Sequence, residues 1–229
     1  MGDQSWNIPR FGDLNRVIYT CVFGYTDPLH EPEIAQDCPM ICFTDQPIKS
    51  SRWEIVRIPT VQTPMRLSRF VKALSHRWFP NATTLYLDAN MTLRAHLRAL
   101  ESKYSGDFVN FRHWKRQRIT DEADAIIRWK KAKPDAVMAQ LHKYQAEGFD
   151  TDENPQRVLS NNGVLLRRPS SAELCEAWWH EISTQTLRDQ MSIDYCAWKL
   201  GHNIERFDGD IKTTDIVTVH NYVRPVNDY

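Results

Sequence analysis

Residues 83–90 constrain the fold more than any other part of the chain, and their sequence is TTLYLDAN. Five β-favouring residues run directly into Asp88 and Asn90, and a carboxylate at the end of a buried strand lies where open α/β sheets bind ligands. The two side chains are two positions apart, so an extended backbone would place them on the same face. Their oxygens could hold a hard divalent cation that is shared with substrate phosphates. The alternative is a simple turn, because Asp and Asn both favour turns.

Strand-like and helix-like segments alternate on both sides of this motif. Strands rich in β-branched and aromatic residues are expected at 16–23, 39–44, 53–58, 83–88, 107–111, 204–207 and 216–220. Helices are expected at about 63–78, 93–103, 120–131, 134–147, 170–183 and 189–200. The alternation predicts an α/β fold with a mostly parallel central sheet flanked by helices. The chain has no repeat and no obvious linker, so we expect a single domain over residues 1–229.

The composition excludes several classes of partner and compartment. The chain carries 29 Lys and Arg residues and 29 Asp and Glu residues, so no overall field would attract nucleic acid or a membrane surface. Its five cysteines form no regular framework and no zinc spacing, which favours free buried thiols. The chain opens without a signal-peptide pattern, and no apolar run reaches the ~18 residues of a membrane-spanning helix. We therefore expect a cytoplasmic protein without a transmembrane segment.

Two features in the first half of the chain suit a nucleotide. Residues 20–25 follow the first strand, where doubly wound sheets hold nucleotides, but they contain neither Gly-x-Gly-x-x-Gly nor a P-loop lysine. A dinucleotide site and a P-loop are therefore not expected. Arg66, Arg69 and Lys72 recur at helical spacing on the helix before Asp88. They would form either a clamp for a diphosphate or a solvated basic face.

Two features in the second half each have a structural and a functional interpretation. Asp189 and Gln190 stand at a predicted helix start, where the aspartate could serve only as the N-cap. His220 follows a strand-like run at 216–219. It could be an ordinary surface or core histidine, or its imidazole could complete a carboxylate-rich site for a transition metal such as manganese.

In their order and spacing, these features resemble the GT-A glycosyltransferases, which are nucleotide-sugar enzymes with a Rossmann-like sheet and an Asp-x-Asp metal motif. The likeness runs from about residue 16 to residue 221. Its motifs are Val17-Ile18-Tyr19-Thr20, Cys42-Phe43-Thr44-Asp45, the basic helix before Asp88-Ala89-Asn90, Asn161-Asn162-Gly163 with Arg167, Asp189-Gln190, and the late His220 of the glycogenin-like branch. The chain also resembles a hexosyltransferase-like family of plants and bacteria, with which it shares the Tyr-Thr strand, His113 before a helix with Glu122, and the Asp-Gln element.

The resemblance implies a nucleotide-binding half over about 14–111 and an acceptor-side half over about 112–229. It implies transfer of a hexose or pentose from a nucleoside-diphosphate sugar, with uridine as the expected nucleoside, assistance by Mn²⁺ or Mg²⁺, and retention of anomeric configuration. The implied site residues are Asp189 and Gln190 for catalysis; Thr20, Cys21, Tyr25, Asp45, Arg66, Arg69, Lys72 and Ala89 for the nucleotide sugar; His113, Asn161 and Asn162 on the acceptor side; and Asp88, Asn90 and His220 for the metal. Asn90 departs from the Asp-x-Asp motif, and its neutral oxygen would bind a cation more weakly than a carboxylate.

The acceptor and two rival functions stay open at this point. A saccharide, small-molecule or lipid-linked acceptor is favoured, whereas the basic segment 112–133 with Trp114 and Trp129 would also suit a nucleic acid, such as modified nucleobases in DNA. The first rival is a non-catalytic sugar-nucleotide or carbohydrate-binding module, which Asn90 favours. The second is a nucleotidyltransferase, a class that usually has a Gly-rich phosphate loop that this chain lacks.

Overall fold

A seven-stranded sheet forms the centre of the protein. The structure is a computed structural model, and it describes residues 8–24, 28–59 and 63–221. The strands of the sheet are β1 (Arg16–Val22), β2 (Met40–Thr44), β3 (Glu54–Arg57), β4 (Thr83–Leu87), β6 (Phe108–Arg112), β7 (Ser160–Arg167) and β8 (Glu205–Arg206). A separate two-stranded sheet pairs β5 (Met91–Leu93) with β9 (Val217–Val219).

The strand directions confirm the predicted α/β fold with a mostly parallel sheet. The order across the sheet is β3-β2-β1-β4-β7-β6-β8, and β7 is antiparallel to both of its neighbours. The other six strands all point the same way. Their carboxyl ends therefore share one edge of the sheet with the amino end of β7. The chain moves outward from β1 to β3 and then returns to β4 on the other side, so the strand order reverses between β1 and β4, where open α/β sheets bind ligands.

Helices cover both faces of the sheet. The helices on one face are α1 (Pro64–Ala73), α2 (Ser75–Trp78), α4 (Ile119–Arg128), α5 (Pro134–Ala146), α6 (Ala172–Thr184) and α7 (Ile193–Leu200). The other face packs against α3 (Leu97–Lys103) and the small sheet. The alternation of side chains along β1 serves both cores, since Val17 and Tyr19 enter the first and Ile18 and Val22 enter the second.

Local details differ from the sequence prediction at three places. The helix expected at 93–103 begins only at Leu97, because residues 91–93 pair with β9. The helix expected at 63–78 is interrupted at Leu74, whose φ of −102° and ψ of 40° lie outside the helical region. The helix expected from residue 189 is a 3₁₀ turn, Asp189–Met191, followed by α7.

In residues 8–24, 28–59 and 63–221, no helix combines the length and the apolar character that a membrane crossing needs.

Candidate functional site

Asp88 lies at the carboxyl edge of the sheet, directly after β4. Its backbone amide donates to the carbonyl oxygen of Gly163 on β7 at 2.8 Å. A Cβ atom at Gly163 would lie 2.5 Å from Cε of Met91, so a side chain there would require the Met91 side chain to move. The Oδ1 atom of Asp88 accepts hydrogen bonds from the Tyr86 hydroxyl at 2.9 Å and from Nζ of Lys72 at 3.2 Å. The carboxylate is thus fixed in place while 21% of the side chain faces solvent.

A buried cluster of charges joins Asp88 to Asp189. The Nζ atom of Lys72 contacts Oδ1 of Asp88 and also lies 2.8 Å from Oδ2 of Asp189. Nε of Arg69 lies 3.2 Å from the other oxygen, Oδ1, of Asp189. Burial alone would raise the pKa of the Asp189 carboxyl, but Arg69 and Lys72 outweigh burial and hold this pKa well below its usual range. Asp189 is therefore ionised at neutral pH, and each of its oxygens already faces a cation.

The 3₁₀ turn that carries Asp189 and Gln190 is attached to the core and to the start of β7. The carbonyl oxygen of Asp189 accepts from Nε1 of Trp178 at 2.9 Å and from Nδ2 of Asn162 at 3.4 Å. Nε2 of Gln190 donates to the carbonyl oxygen of Ser160 at 3.2 Å. The interpretation of Asp189 as a mere helix cap is wrong, because α7 begins after Ser192 and the Asp189 carboxylate binds α1 instead.

Behind this turn lies a polar network that sequence reasoning missed. Asp194 accepts hydrogen bonds from the amide of Ser160 at 2.8 Å and from its hydroxyl at 2.7 Å. Arg206 of β8 donates to the same carboxylate at 2.9 Å and also to Asn110 on β6. The network joins β6, β7, β8 and α7 beneath the Asp189 turn. No local pattern could indicate it, since its members come from four separate elements.

The basic face of α1 packs against the protein. Arg66 donates to the Ser183 carbonyl oxygen at 3.4 Å and lies over the Trp179 ring at 5.4 Å. Arg69 donates to the Leu187 carbonyl oxygen at 3.4 Å in addition to its contact with Asp189. The interpretation of this face as a solvated helix surface is therefore wrong. These cations hold segment 183–189 along α1, and their binding of a diphosphate stays a prediction.

Several residues predicted to bind the nucleotide sugar have internal partners. The Thr20 hydroxyl is buried and donates to the Leu87 carbonyl oxygen at 2.8 Å. The Cys21 thiol is also buried, and burial raises its pKa to about 12, so it is neutral at physiological pH. Asp45 accepts from the Gly24 amide at 3.0 Å and so joins the ends of β1 and β2. Ala89 is half-buried against the second core, and Tyr25 lies outside the described residues.

Asn90 and His220 meet across the small sheet. The His220 amide donates to the Asn90 carbonyl oxygen at 2.8 Å, and Nδ2 of Asn90 donates to the His220 carbonyl oxygen at 3.0 Å. Nε2 of His220 lies 2.9 Å from the Thr92 hydroxyl, and its ring stacks on His30 with 3.9 Å between centroids. Oδ1 of Asn90 is buried and has no hydrogen-bond partner among the described residues.

Asp88 and Asn90 fit a hard divalent cation in one respect. Asp88 offers a partly exposed carboxylate, and Asn90 offers an amide oxygen that is buried without a partner, which is a costly arrangement unless something binds it. Within the described part of the chain, no group of three or more His, Cys, Asp and Glu side chains could hold a metal. An ion here would therefore need further ligands, such as phosphate oxygens. His220 as a third ligand stays a prediction, since its Nε2 already pairs with Thr92.

The predicted acceptor-side residues lie at the same edge of the sheet. His113 follows β6, and its Nδ1 atom accepts from the amides of Lys115 at 3.1 Å and Arg116 at 2.9 Å. Burial, and to a smaller extent Arg116, lower the pKa of His113 to about 4, so the ring is neutral at pH 7. At the start of β7, Oδ1 of Asn161 accepts from the Gly163 amide at 3.0 Å. Asn162 donates to the Asp189 carbonyl oxygen, so the start of β7 contacts the turn that contributes Asp189 to the charge cluster.

Comparison with known proteins identifies the family. A family model described as TOD1/MUCI70, glycosyltransferase-like domain, matches residues 42–218 of the 229. The matched range includes Asp88, Asn90 and Asp189, and it ends two residues before His220. No curated protein matches the chain. Because the family model covers well over half of the sequence, the chain belongs to the TOD1/MUCI70 family of glycosyltransferase-like domains.

Proposed function

We propose that this domain transfers a sugar from a nucleoside-diphosphate sugar to an acceptor, with a uridine-linked donor and retention of anomeric configuration, as the likeness to the glycogenin-like branch of GT-A enzymes implies. The observation that carries the proposal is the pair of carboxylates, Asp88 and Asp189, that share the Lys72 ammonium at the carboxyl edge of the sheet. This pair lies beside the point where the strand order reverses, in a chain of a glycosyltransferase-like family.

Stabilisation of the leaving group is the main task of such a site. As the bond to the sugar breaks, the nucleoside diphosphate gains negative charge. Arg69 and Lys72 are fixed cations in a largely dry environment, so they need little reorganisation when that charge develops. A divalent cation held by Asp88 and Asn90 would add Lewis-acid stabilisation of the diphosphate.

The contacts of Asp189 favour an orienting role over a covalent one. Both of its oxygens are bound by cations, and its lowered pKa makes it a weak base. A carboxylate that is bound in this way is also a weak nucleophile. Asp189 would therefore maintain the negative potential next to the reacting sugar carbon, with the Gln190 amide beside it. This assignment is consistent with retention without a glycosyl-enzyme intermediate.

Thermal unfolding of the chain with a panel of sugar nucleotides, with and without Mn²⁺, tests the proposal. A ligand that binds only the native state at a hundredfold its Kd adds about 2.7 kcal/mol, which for a domain of this size raises Tm by about 5–10 °C. Asp88→Ala should lose the shift and all turnover while its circular dichroism spectrum stays native. The proposal is wrong if no nucleotide raises the wild-type Tm. Binding without transfer or hydrolysis would instead support the binding-module alternative.

A further inference from the structure

An exposed tryptophan stands at the same edge of the sheet as Asp88. Trp114 follows β6 and is 48% exposed, although tryptophan is highly buried on average. Only β7 separates β6 from β4, so two strand spacings place the end of β6 about 10 Å from the end of β4. Asn161 and Asn162, at the start of β7, lie between them. The turn that carries Trp114 therefore lies at the same edge of the sheet as the charge cluster, on the predicted acceptor side.

The turn that carries Trp114 is held in one conformation. The amides of Lys115 and Arg116 donate to Nδ1 of His113, whose own amide donates to the Leu159 carbonyl oxygen at 2.6 Å. Arg116 is also fixed by an ion pair of 2.5 Å with Glu122. A ligand that stacks on this ring would pay little for ordering the loop, because the order already exists.

Two ammonium groups flank the exposed ring. Nζ of Lys212 lies 3.7 Å from the ring centroid of Trp114, and Nζ of Lys115 lies 5.9 Å from it. Lys212 belongs to the loop after β8, where its amide donates to Asp210 at 2.8 Å. Two loops that are distant in sequence thus place cations around one aromatic surface. An exposed cation–π pair contributes only about 0.5–1 kcal/mol, so folding stability alone gives little reason to keep this arrangement.

We propose that Trp114, Lys115 and Lys212 form the acceptor-binding surface and that the acceptor is a saccharide carrying a uronic acid. The apolar C–H face of a pyranose packs against an indole ring, and a carboxylate pairs with the two ammonium groups. The inference rests on the proposed function, because it names the acceptor of that reaction. Binding to the surface can nevertheless be measured without donor or turnover.

The surrounding charges favour a sugar carboxylate over a nucleic acid. Two other cations of the same segment, Arg116 and Arg118, are ion-paired with Glu122 and Asp150 at 2.5 and 2.6 Å. Backbone amides of the turn, which could otherwise cradle a phosphate, donate to His113 instead. Binding of a polynucleotide depends on contacts with many phosphates. Two lysines beside one ring do not provide such a track, but they suit a single carboxylate.

Calorimetric titration of the full chain with matched acidic and neutral oligosaccharides tests the inference. The probes are β-1,4-linked hexamannuronate against mannohexaose, hexaglucuronate against cellohexaose, and hexathymidylate as a nucleic-acid strand. We expect at least one uronate to bind ten times more tightly than its neutral counterpart, and more weakly as salt is raised. Trp114→Ala should weaken that binding at least tenfold and Lys212→Gln several-fold. Lys133→Gln removes one exposed charge at the start of α5 and should leave binding unchanged.

The outcomes separate this inference from the proposed function. Equal binding of acidic and neutral sugars, tighter binding of hexathymidylate, no effect of Trp114→Ala, or no binding of any probe would each overturn the inference. The sugar-nucleotide thermal shift is measured in parallel on the same samples. If that shift persists while uronates do not bind, only the inference fails. If uronates bind and no nucleotide shifts the Tm, the proposed function fails, and the surface remains a binding site for acidic saccharides.

Discussion

The Nζ atom of Lys72 lies 2.8 Å from Oδ2 of Asp189, and both side chains are more than nine-tenths buried. Lys72 also reaches Asp88, so two carboxylates from distant parts of the chain share one ammonium. Removing a single partner from such a cluster leaves an uncompensated buried charge. The position of Asp189 relative to Asp88 is therefore built into the fold before any ligand arrives.

We predict that Lys72→Met lowers the free energy of unfolding by about 3–5 kcal/mol, because the carboxylates of Asp88 and Asp189 lose the ammonium that they share. The double variant Lys72→Met/Asp189→Leu should recover about 1–3 kcal/mol of that loss, since contacting residues are energetically coupled. Urea unfolding of the two single variants and the double variant measures the coupling. Arg66→Met on the same helix is the control, and it should cost only about 1 kcal/mol. Strictly additive losses would contradict the cluster.

Asn90→Asp should lower the Tm of the metal-free protein and increase the rise in Tm that manganese causes. Without metal, the variant loses the hydrogen bond from Nδ2 to the His220 carbonyl oxygen and places a carboxylate against that oxygen, so its Tm should fall. With Mn²⁺, the two carboxylates at positions 88 and 90 should bind the ion more tightly, so the metal-induced rise in Tm should exceed that of wild type. A melting curve at several Mn²⁺ concentrations measures both effects. An unchanged metal response would show that position 90 does not contact the ion.

The role of His220 can be separated from its packing by a pair of variants. His220→Ala removes the imidazole together with its stack on His30 and its bond to Thr92, so a lower metal-free Tm is expected. Thr92→Val breaks the same hydrogen bond but keeps the imidazole. If His220 binds the metal, manganese-dependent nucleotide binding should weaken in His220→Ala and persist in Thr92→Val. Similar losses in both variants would indicate a structural histidine.

Because the pKa of His113 is lowered in the folded protein, we predict that the protein loses stability in mild acid. Burial and then Arg116 are the main causes that lower the folded pKa of His113 to about 4; Lys131 and Lys212 lower it slightly and Asp210 opposes them, whereas an unfolded histidine has a pKa near 6.5. Between these values the unfolded chain binds more protons, so the free energy of unfolding falls as the pH drops from about 6.5 towards 4. His113→Asn keeps an acceptor for the turn amides but cannot titrate. Urea unfolding at pH 7 and pH 5 should therefore show a smaller decrease in the variant than in wild type.

The parts of the site that are local in sequence could be predicted, and the parts that depend on distant pairing could not. The β-branched run into Asp88 places that carboxylate correctly, and Tyr86 could have been included because it lies two residues before Asp88 on the same face. The pairing of Lys72 with Asp189 has no local signature, since it depends on how α1 packs against a turn more than a hundred residues later. The helix expected from about residue 93 begins only at Leu97, because residues 91–93 pair with β9, a partner so distant in sequence that it leaves no local signal.

The pairing of β5 with β9 also makes the wall of the site that holds Asn90 depend on a strand that is distant in sequence. The contacts of Lys72 with Asp88 and Asp189 involve residues of the main sheet edge and of the segments that pack on it, whereas the strand beside Asn90 is β9. The charge cluster and the position of Asn90 therefore depend on different parts of the chain. A substitution that weakens the pairing of β9 should displace Asn90 more than it displaces Lys72 or Asp189.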